Sequence, residues 1–290
     1  MTLLPPEELQ QFTTSDGVKI SYLVQGSGRP LVLLHGWSGS HKSFIKNVQV
    51  LSQSFQVIAP DFRGHGASDK PKQGFHVARL AVDLNELLDH LSIDKDGSKS
   101  GLVVVGCSLG AAVIWSFVEL FSCKRLGAGI FVDQSPLQLQ CSDGSWKLGS
   151  KTLPDYASLV HLEAALKMQP EAVFSQMVHD CLFREPSKKE VEYFVSISKE
   201  ADAYFLGKLM QDHAQLDWRS TLPLLQCPCL VIYGAQSKIF PEDAALYLAD
   251  KLPRKMLQEF KFAGHWPYYE MPERFNDVVN DFIRHRMQQL

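Results

Sequence analysis

Short runs of consecutive apolar residues alternate along most of the chain with segments in which apolar residues recur every three or four positions. The short runs are typical of strands buried on both faces of a sheet, and the longer spacing is typical of the helices that cover it. We predict eight strands, at residues 12–14, 20–25, 31–34, 57–59, 102–105, 129–132, 230–233 and 257–260, with a hairpin turn at Asp16-Gly17 between the first two. Helices are predicted at residues 41–51, 75–91, 109–121, 241–251 and 272–287. The alternation predicts an α/β fold, a mostly parallel eight-stranded sheet with helices on both faces.

The alternation stops between Gln134 and Leu222, where about ninety residues contain no convincing strand, too many for a loop in a compact domain. Four helical patterns fill this part of the chain, at residues 159–168, 171–181, 188–199 and 201–211. We predict a helical cap, residues 135–220, inserted into an α/β core formed by residues 1–134 and 221–290. Pro136 and Pro223 lie near the two junctions.

One uncharged stretch, residues 101–118, is 18 residues long and could span a membrane on length alone. Its interior argues against that, because a β-branched run is followed by the glycine-containing turn 106–110 and then by a helical pattern. We predict a buried strand that turns into a buried helix. The first residues, Met1 to Glu8, lack the cationic and apolar regions of a signal peptide, so we expect a cytoplasmic protein with no membrane partner.

The charge balance and the cysteines exclude further classes of partner. The chain has 29 Lys and Arg against 32 Asp and Glu, a formal net charge of −3, and no basic stripe that could follow a phosphate backbone. The six cysteines are spread too thinly for a disulfide framework, and Cys227-Pro228-Cys229 lacks the spacing of a zinc knuckle. We expect reduced and buried thiols, no bound metal, no nucleic-acid partner, and a monomer or homodimer.

The strongest chemical signal is the pentapeptide Gly106-Cys107-Ser108-Leu109-Gly110, which follows a predicted strand and precedes a predicted helix. A strand that turns sharply into a helix leaves no room for side chains two positions before and after the turn, and glycine stands at both positions. Such a turn holds the serine beside the free N–H groups of a helix N-terminus, where developing negative charge is favoured. We therefore predict that Ser108 is a catalytic nucleophile.

A second motif, His35-Gly36-Trp37, follows the strand at residues 31–34. Acyl transfer needs two backbone donors aimed at the oxyanion, and loss of one such donor costs roughly 3 kcal/mol of transition-state stabilisation. We assign the N–H groups of Trp37 and Leu109 to this oxyanion hole, with Gly36 allowing the backbone to approach closely. An ordinary turn after a strand, with a histidine that caps its own loop, is the alternative interpretation.

A third motif, D-F-R-G-H-G-A-S from Asp61 to Ser68, follows another predicted strand and makes a tight polar loop that we interpret as structural. The H-G-W, D-x-R-G-H-G-x-S and G-x-S-x-G motifs, each placed after a strand, together resemble the α/β-hydrolase superfamily over about residues 12–282. The resemblance implies a histidine on the loop after the last strand, and Gly264-His265-Trp266-Pro267 is similar to that loop. His265 is therefore the predicted general base.

The acid that orients this histidine departs from the commoner pattern that the resemblance implies. Most relatives carry a carboxylate a few residues after the strand that is here 230–233, where this chain has Ser237. A minority place the acid after the preceding sheet strand, and Asp133 stands there, at the carboxyl end of a strand where open α/β sheets gather functional groups. We assign the acid to Asp133. Glu242 and Asp243 are rivals that are better explained as residues at the start of a helix.

These residues predict a cofactor-free serine hydrolase of carboxylic esters, lactones included, that acts on a small-molecule substrate through a catalytic triad. The sequence has no phosphate-binding glycine loop, and a serine nucleophile disfavours the carboxylate-dependent epoxide hydrolases and dehalogenases of the superfamily. Candidate pocket residues, suited to an apolar or aromatic substrate, are His35, Gly36, Trp37, Phe44, Trp146, Trp218 and Trp266. Two alternatives stay open: a cofactor-free dioxygenase of heteroaromatic rings that uses the His and Asp pair, and a hydrolase-fold ligand receptor in which turnover is incidental.

Overall fold

The computed structural model describes residues 8–93, 101–286 and 289, and it contains a strand at each of the eight predicted places. The strands are β1 Gln10–Thr13, β2 Lys19–Gln25, β3 Pro30–Leu34, β4 Gln56–Pro60, β5 Val103–Cys107, β6 Ala128–Val132, β7 Cys229–Gly234 and β8 Lys255–Phe260. The continuous apolar runs β5, β6 and β7 are fully buried, whereas β8 alternates between exposed and half-buried residues up to its buried last residue, Phe260. This difference follows from position, because β8 lies at one edge of the sheet.

All eight strands form one sheet in the order β1-β2-β4-β3-β5-β6-β7-β8. β1 pairs antiparallel with β2, β2 pairs antiparallel with β4, and every other neighbouring pair is parallel. The hairpin between β1 and β2 turns at Gly17, whose φ is +82°. From β3 the chain passes to β4 on one side and afterwards to β5 on the other, which makes the kind of switch point at which α/β sheets bind ligands. The predicted fold class is confirmed.

Helices cover both faces of this sheet. They are α1 Val48–Leu51, α2 Val77–His90, α3 Leu109–Phe121, α4 Tyr156–Met168, α5 Pro170–Cys181, α6 Lys188–Ser198, α7 Ala203–Gln215, α8 Glu242–Lys251, α9 Pro267–Glu270 and α10 Pro272–Asp281. Alternate residues of β3 point to opposite faces: Val32 and Leu34 pack with α2, α3 and α8, while Leu31 and Leu33 pack with α1 and α10. Two apolar layers, one on each face, hold the carboxyl ends of the central strands in place.

Four consecutive helices, α4 to α7, occupy the chain between β6 and β7. The helix expected at residues 201–211 is observed at Ala203–Gln215, because Asp202 caps it by accepting a hydrogen bond from the backbone N–H of Phe205 at 2.8 Å. The two ends of the inserted segment meet at an isolated antiparallel bridge between Leu137 and Asp217. The division of the chain into a core and a cap at residues 134/135 and 220/221 stays a prediction.

Two other predicted helices differ in detail from the structure. The helix expected at residues 41–51 is split into a 3-10 turn, His41–Phe44, and the short helix α1, because Asn47 between them is held by its side chain to Tyr268 O and to Asn276 Oδ1. The helix expected at residues 272–287 ends as α10 followed by a π-helical turn, Phe282–Arg286, and residue 287 lies outside the described residues.

The uncharged stretch at residues 101–118 forms β5 and most of α3, as predicted. Within the described ranges, no helix combines the length and the apolar character that crossing a bilayer requires. All six cysteines carry free thiols. Four of them are buried, but Cys123 and Cys141 are half-buried, which corrects the expectation that all six are buried.

Candidate active site

Ser108 sits on a strained turn between β5 and α3. Its φ is +52° and its ψ −121°, a backbone conformation that side-chain-bearing residues rarely adopt and that proteins retain mainly at functional sites. The flanking glycines are required by contact: a Cβ on Gly106 would lie 2.4 Å from the carbonyl carbon of Gly110, and a Cβ on Gly110 would lie 2.4 Å from Leu34 O. The turn is also tied to the sheet, since Ser108 N donates to Val132 O at 3.0 Å. The serine is thus presented at the carboxyl edge of the central strand.

His265 and Asp133 form a buried pair beside this turn. The Nδ1 atom of His265 lies 2.6 Å from Asp133 Oδ2, so the ring N–H donates to the carboxylate and leaves Nε2 for the substrate side. The backbone of His265 is also fixed, because its N–H donates to Cys181 O at the end of α5, at 2.8 Å. An imidazole held in this orientation is suited to take a proton from a serine hydroxyl.

Ser237 joins this pair, although the sequence offered it no role. Its hydroxyl donates to the same Oδ2 atom of Asp133 at 2.7 Å. The backbone N–H groups of Ile239 and Phe240 approach Ser237 Oγ at 3.3 Å each, so the oxygen accepts from the loop and its single proton is directed to the carboxylate. The sequence showed only that Ser237 stands where most relatives carry the acid, and the contact with Asp133 depends on how the two loops lie in space.

The loop after β3 packs directly against the nucleophile. A Cβ on Gly36 would lie 3.4 Å from Ser108 Cβ, which shows how closely this backbone approaches the serine. The indole N–H of Trp37 donates to Leu206 O on α7 at 3.0 Å and fixes the end of the loop. Leu109 is the first residue of α3, where backbone N–H groups have no partner within the helix. Both predicted oxyanion donors therefore belong to backbone that borders Ser108.

His35 stabilises this loop through hydrogen bonds. It does not line the cavity, which corrects its assignment as a pocket residue. Its Nε2 accepts from the backbone N–H of Phe62 at 3.0 Å, and its Nδ1 lies 2.8 Å from Gly36 O. Burial lowers the pKa of His35 to about 4, so the ring is neutral and can accept at one nitrogen while donating at the other. The loops after β3 and β4 are joined through this ring.

The motif from Asp61 to Ser68 is built as a structural loop. Asp61 Oδ1 accepts from His41 N at 2.7 Å and lies 2.8 Å from His41 Nδ1, while Oδ2 accepts from Ala67 N at 2.8 Å. The buried guanidinium of Arg63 binds Asp83 on α2 and Asp16 in the β-hairpin. These contacts tie the hairpin, the loop and a helix together.

A cavity of about 390 Å³ opens in front of Ser108 and His265 and is bordered by the helices between β6 and β7. Its walls are largely apolar and include Leu153, Leu162, Val173, Met177, Met210, Ile239 and Phe240. Of the predicted pocket residues, Gly36, Trp37 and Trp266 line it. The cavity thus places mostly apolar side chains next to Ser108 and His265.

Three further aromatic residues predicted as pocket walls are placed elsewhere. Phe44 is fully buried against Tyr268, with ring centroids 5.2 Å apart. Trp146 packs edge-on against Tyr247 and donates its indole N–H to Leu137 O at 2.9 Å. Trp218 belongs to the apolar layer that contains α2 and α3. These side chains fill the interior and do not contact the cavity, so their assignment is corrected.

The two rival acids, Glu242 and Asp243, lie at the start of α8. Glu242 accepts a hydrogen bond from the Tyr233 hydroxyl at 2.9 Å, and it starts α8 together with Asp243. Burial raises the pKa of the Cys107 thiol next to Ser108, so that thiol stays protonated. In the described part of the chain, His, Cys, Asp and Glu side chains form no cluster of three that could hold a metal ion.

Comparisons with known proteins agree with this architecture. An uncharacterized protein of Mycobacterium tuberculosis is 26% identical over 296 residues, which cover 94% of this chain and 80% of that protein. Among solved structures, a bromoperoxidase from Bacillus anthracis matches with a TM-score of 0.86 at 20% identity, covering 96% of this chain and 100% of that one. An esterase from Exiguobacterium antarcticum matches with a TM-score of 0.85 at 20% identity, covering 94% and 98%. At this identity the solved structures show the fold alone.

A family model described as alpha/beta hydrolase fold matches residues 29–272, most of the chain, and the protein therefore belongs to the alpha/beta hydrolase fold family.

Proposed function

We propose that the protein is a cofactor-free serine hydrolase that cleaves a carboxylic ester or lactone through an acyl-enzyme. One observation carries the proposal: Ser108, on a turn with φ of +52°, lines the same cavity as His265, whose other ring nitrogen is bound to Asp133. This placement supports a nucleophile, a base and an orienting acid at the carboxyl ends of the sheet strands.

In the first half of the proposed reaction, Ser108 Oγ attacks the substrate carbonyl while His265 Nε2 takes its proton. The carboxylate of Asp133 stabilises the resulting imidazolium through the hydrogen bond to Nδ1. The N–H groups of Trp37 and Leu109 hold the oxyanion of the tetrahedral intermediate. His265 then donates the proton to the departing alkoxide, which leaves as an alcohol or, for a lactone, stays at the far end of the acyl chain.

The second half repeats these steps with water. His265 removes a proton from a water molecule as the water oxygen attacks the acyl-enzyme carbonyl. The second tetrahedral intermediate collapses when Ser108 Oγ leaves and receives the proton from His265. The products are a carboxylic acid and the regenerated serine, so no cofactor is consumed.

We further propose that α4 to α7 act as a cap that selects the substrate. Several cavity residues belong to these helices, among them Leu162, Val173, Met177 and Met210, whereas the proposed catalytic residues lie on loops of the sheet. An apolar acyl group of modest size fits a cavity of about 390 Å³ with such walls.

The dioxygenase alternative would use the same His265 and Asp133 pair to deprotonate its substrate. Only the role of Ser108 separates it from the hydrolase, because the serine is the nucleophile of the hydrolase and takes no such part in the dioxygenase. In the receptor alternative, the cavity would bind a ligand and hydrolysis would be incidental to the function.

Labelling with a fluorophosphonate and turnover of a panel of chromogenic esters and lactones test the proposal together. We expect label on Ser108, and Ser108→Ala should lower kcat by roughly 10⁶-fold because the nucleophile is lost. Ser196→Ala, a change at an exposed serine of α6, is the matched control and should leave both readouts intact. Undiminished turnover in Ser108→Ala, or oxygen uptake with a ring substrate, would show that the protein is not a serine hydrolase.

A further inference from the structure

The cavity contains one buried amide that the proposed chemistry does not use. Gln138, five residues after the proposed acid, is 5% exposed and lines the same cavity as Ser108 and His265. Among the described residues, its side chain makes one hydrogen bond, from Nε2 to the thioether sulfur of Met210 at 3.3 Å. A thioether is a weak acceptor, and the amide oxygen and a second N–H stay available to a ligand.

The backbone around Gln138 holds this amide in place. Ser150 N donates to Gln138 O at 2.7 Å, and Leu139 N donates to Ala214 O on α7 at 3.3 Å. A Cβ on Gly149 would lie 2.4 Å from Gln138 O, so the two segments are in close contact. Because this backbone is already fixed, the loop does not have to be ordered when a ligand binds the side chain. This lowers the entropy cost of binding.

The walls define what kind of ligand group the amide could meet. A buried polar group with weak partners costs free energy, and a ligand that satisfies it recovers that free energy. Among the described residues that line the cavity none is Lys or Arg, and Asp180 is a carboxylate, so an anionic group finds no cationic partner. A neutral amide offers one donor and one acceptor and matches the two free functions of a glutamine side chain.

We propose that Gln138 is a specificity-determining residue that binds a neutral amide group within the otherwise apolar acyl part of the ester or lactone. This inference rests on the proposed function and names the substrate class of that site. The amide pairs with Gln138, and the remaining carbon chain packs on the apolar walls. An acyl chain of the same length without the amide leaves Gln138 unsatisfied and is a poorer substrate.

The test uses para-nitrophenyl heptanoate and a series of esters of the same chain length in which an amide replaces two neighbouring methylenes at successive positions. For wild type, one position should give a higher kcat/KM than heptanoate. In Gln138→Leu we expect this preference to fall by roughly tenfold, the size of a net hydrogen bond, while the rate with heptanoate is kept or raised. Gln49→Leu, the same change at an exposed glutamine of α1 outside the cavity lining, should leave the preference unchanged.

Further variants keep the inference open to contradiction. If Gln138→Leu does not fold, Gln138→Met, which has a side chain of similar length, takes its place. Binding of the same esters to Ser108→Ala, measured by calorimetry, reports the preference even if wild type hydrolyses no ester, so failure of the two proposals can be told apart. A preference that is the same with and without Gln138, or an equal loss for heptanoate and the amide esters, would overturn the assignment.

Discussion

The loops after β6 and β7 contribute to the candidate site in opposite ways. The β6 loop carries Asp133, whose φ of +45° bends the chain as it leaves the strand, and supplies the negative charge. The β7 loop carries Ser237, which is neutral and donates to that charge at 2.7 Å. In the commoner pattern of the superfamily the second loop would carry the acid. The two loops meet at one carboxylate oxygen, so the acid can stand on either strand as long as it reaches His265.

The largest effect on this comparison is expected from Asp133→Asn. The amide can no longer fix the imidazole tautomer or stabilise the imidazolium, and kcat should fall by up to about 10⁴-fold with the fold retained. Turnover of a chromogenic ester together with thermal unfolding would measure both. Glu242→Gln and Asp243→Asn are the controls, since each should cost at most about 1 kcal/mol of stability at the start of α8. A collapse of kcat in either control, with near-normal turnover in Asp133→Asn, would show that the acid is not Asp133.

A smaller effect is expected from Ser237→Ala. It removes one hydrogen bond to a charged group without removing the charge, and we expect kcat to fall by roughly tenfold because the carboxylate is less well held. Ser237→Thr keeps the hydroxyl and should recover most of the rate. Equal rates for Ser237→Ala and wild type would mean that the β7 loop contributes nothing to the position of Asp133.

The sequence predicted the parts of this site that depend on the backbone. Apolar runs located all eight strands, and glycine at fixed spacing around a sharp turn between strand and helix indicated Ser108. His265 and Asp133 were assigned from the resemblance of their loops to those of the superfamily. The role of Ser237 could not be predicted, since it depends on the distance between two loops that are far apart in the chain.

Whether a side chain faces the cavity or the interior was harder to predict than the strands and turns. Trp146 and Trp218 are apolar and lie in or near the helical segment, as pocket walls do, yet they fill the interior. Periodicity reports that a side chain is buried and does not report whether it faces a cavity or its neighbours. Gln138 gave no signal, because an amide in a loop without regular structure carries no pattern.

A further prediction concerns three buried histidines, His35, His65 and His213. Burial lowers the pKa of His35 and His213 to about 4 and that of His65 to about 3. The unfolded chain takes up these protons near pH 6.5, so the free energy of unfolding should decrease as the pH falls from about 6.5 towards 4, by at most about 1.4 kcal/mol per pH unit for each histidine. Urea unfolding at a series of pH values measures this slope, and His35→Gln should reduce it. A free energy that is constant between pH 7 and 5 would contradict the burial of these rings in neutral form.

The convergence of the two loops is tested most directly by kcat of the double variant Asp133→Asn with Ser237→Asp, measured against Asp133→Asn alone. Ser237 Oγ lies 2.7 Å from the carboxylate oxygen that is itself 2.6 Å from His265 Nδ1, and an aspartate at position 237 extends further than serine towards that nitrogen. We predict that kcat of the double variant is at least about tenfold higher than kcat of Asp133→Asn, because a carboxylate again faces the histidine. A double variant no faster than Asp133→Asn would contradict the account that the β6 and β7 loops serve the same histidine.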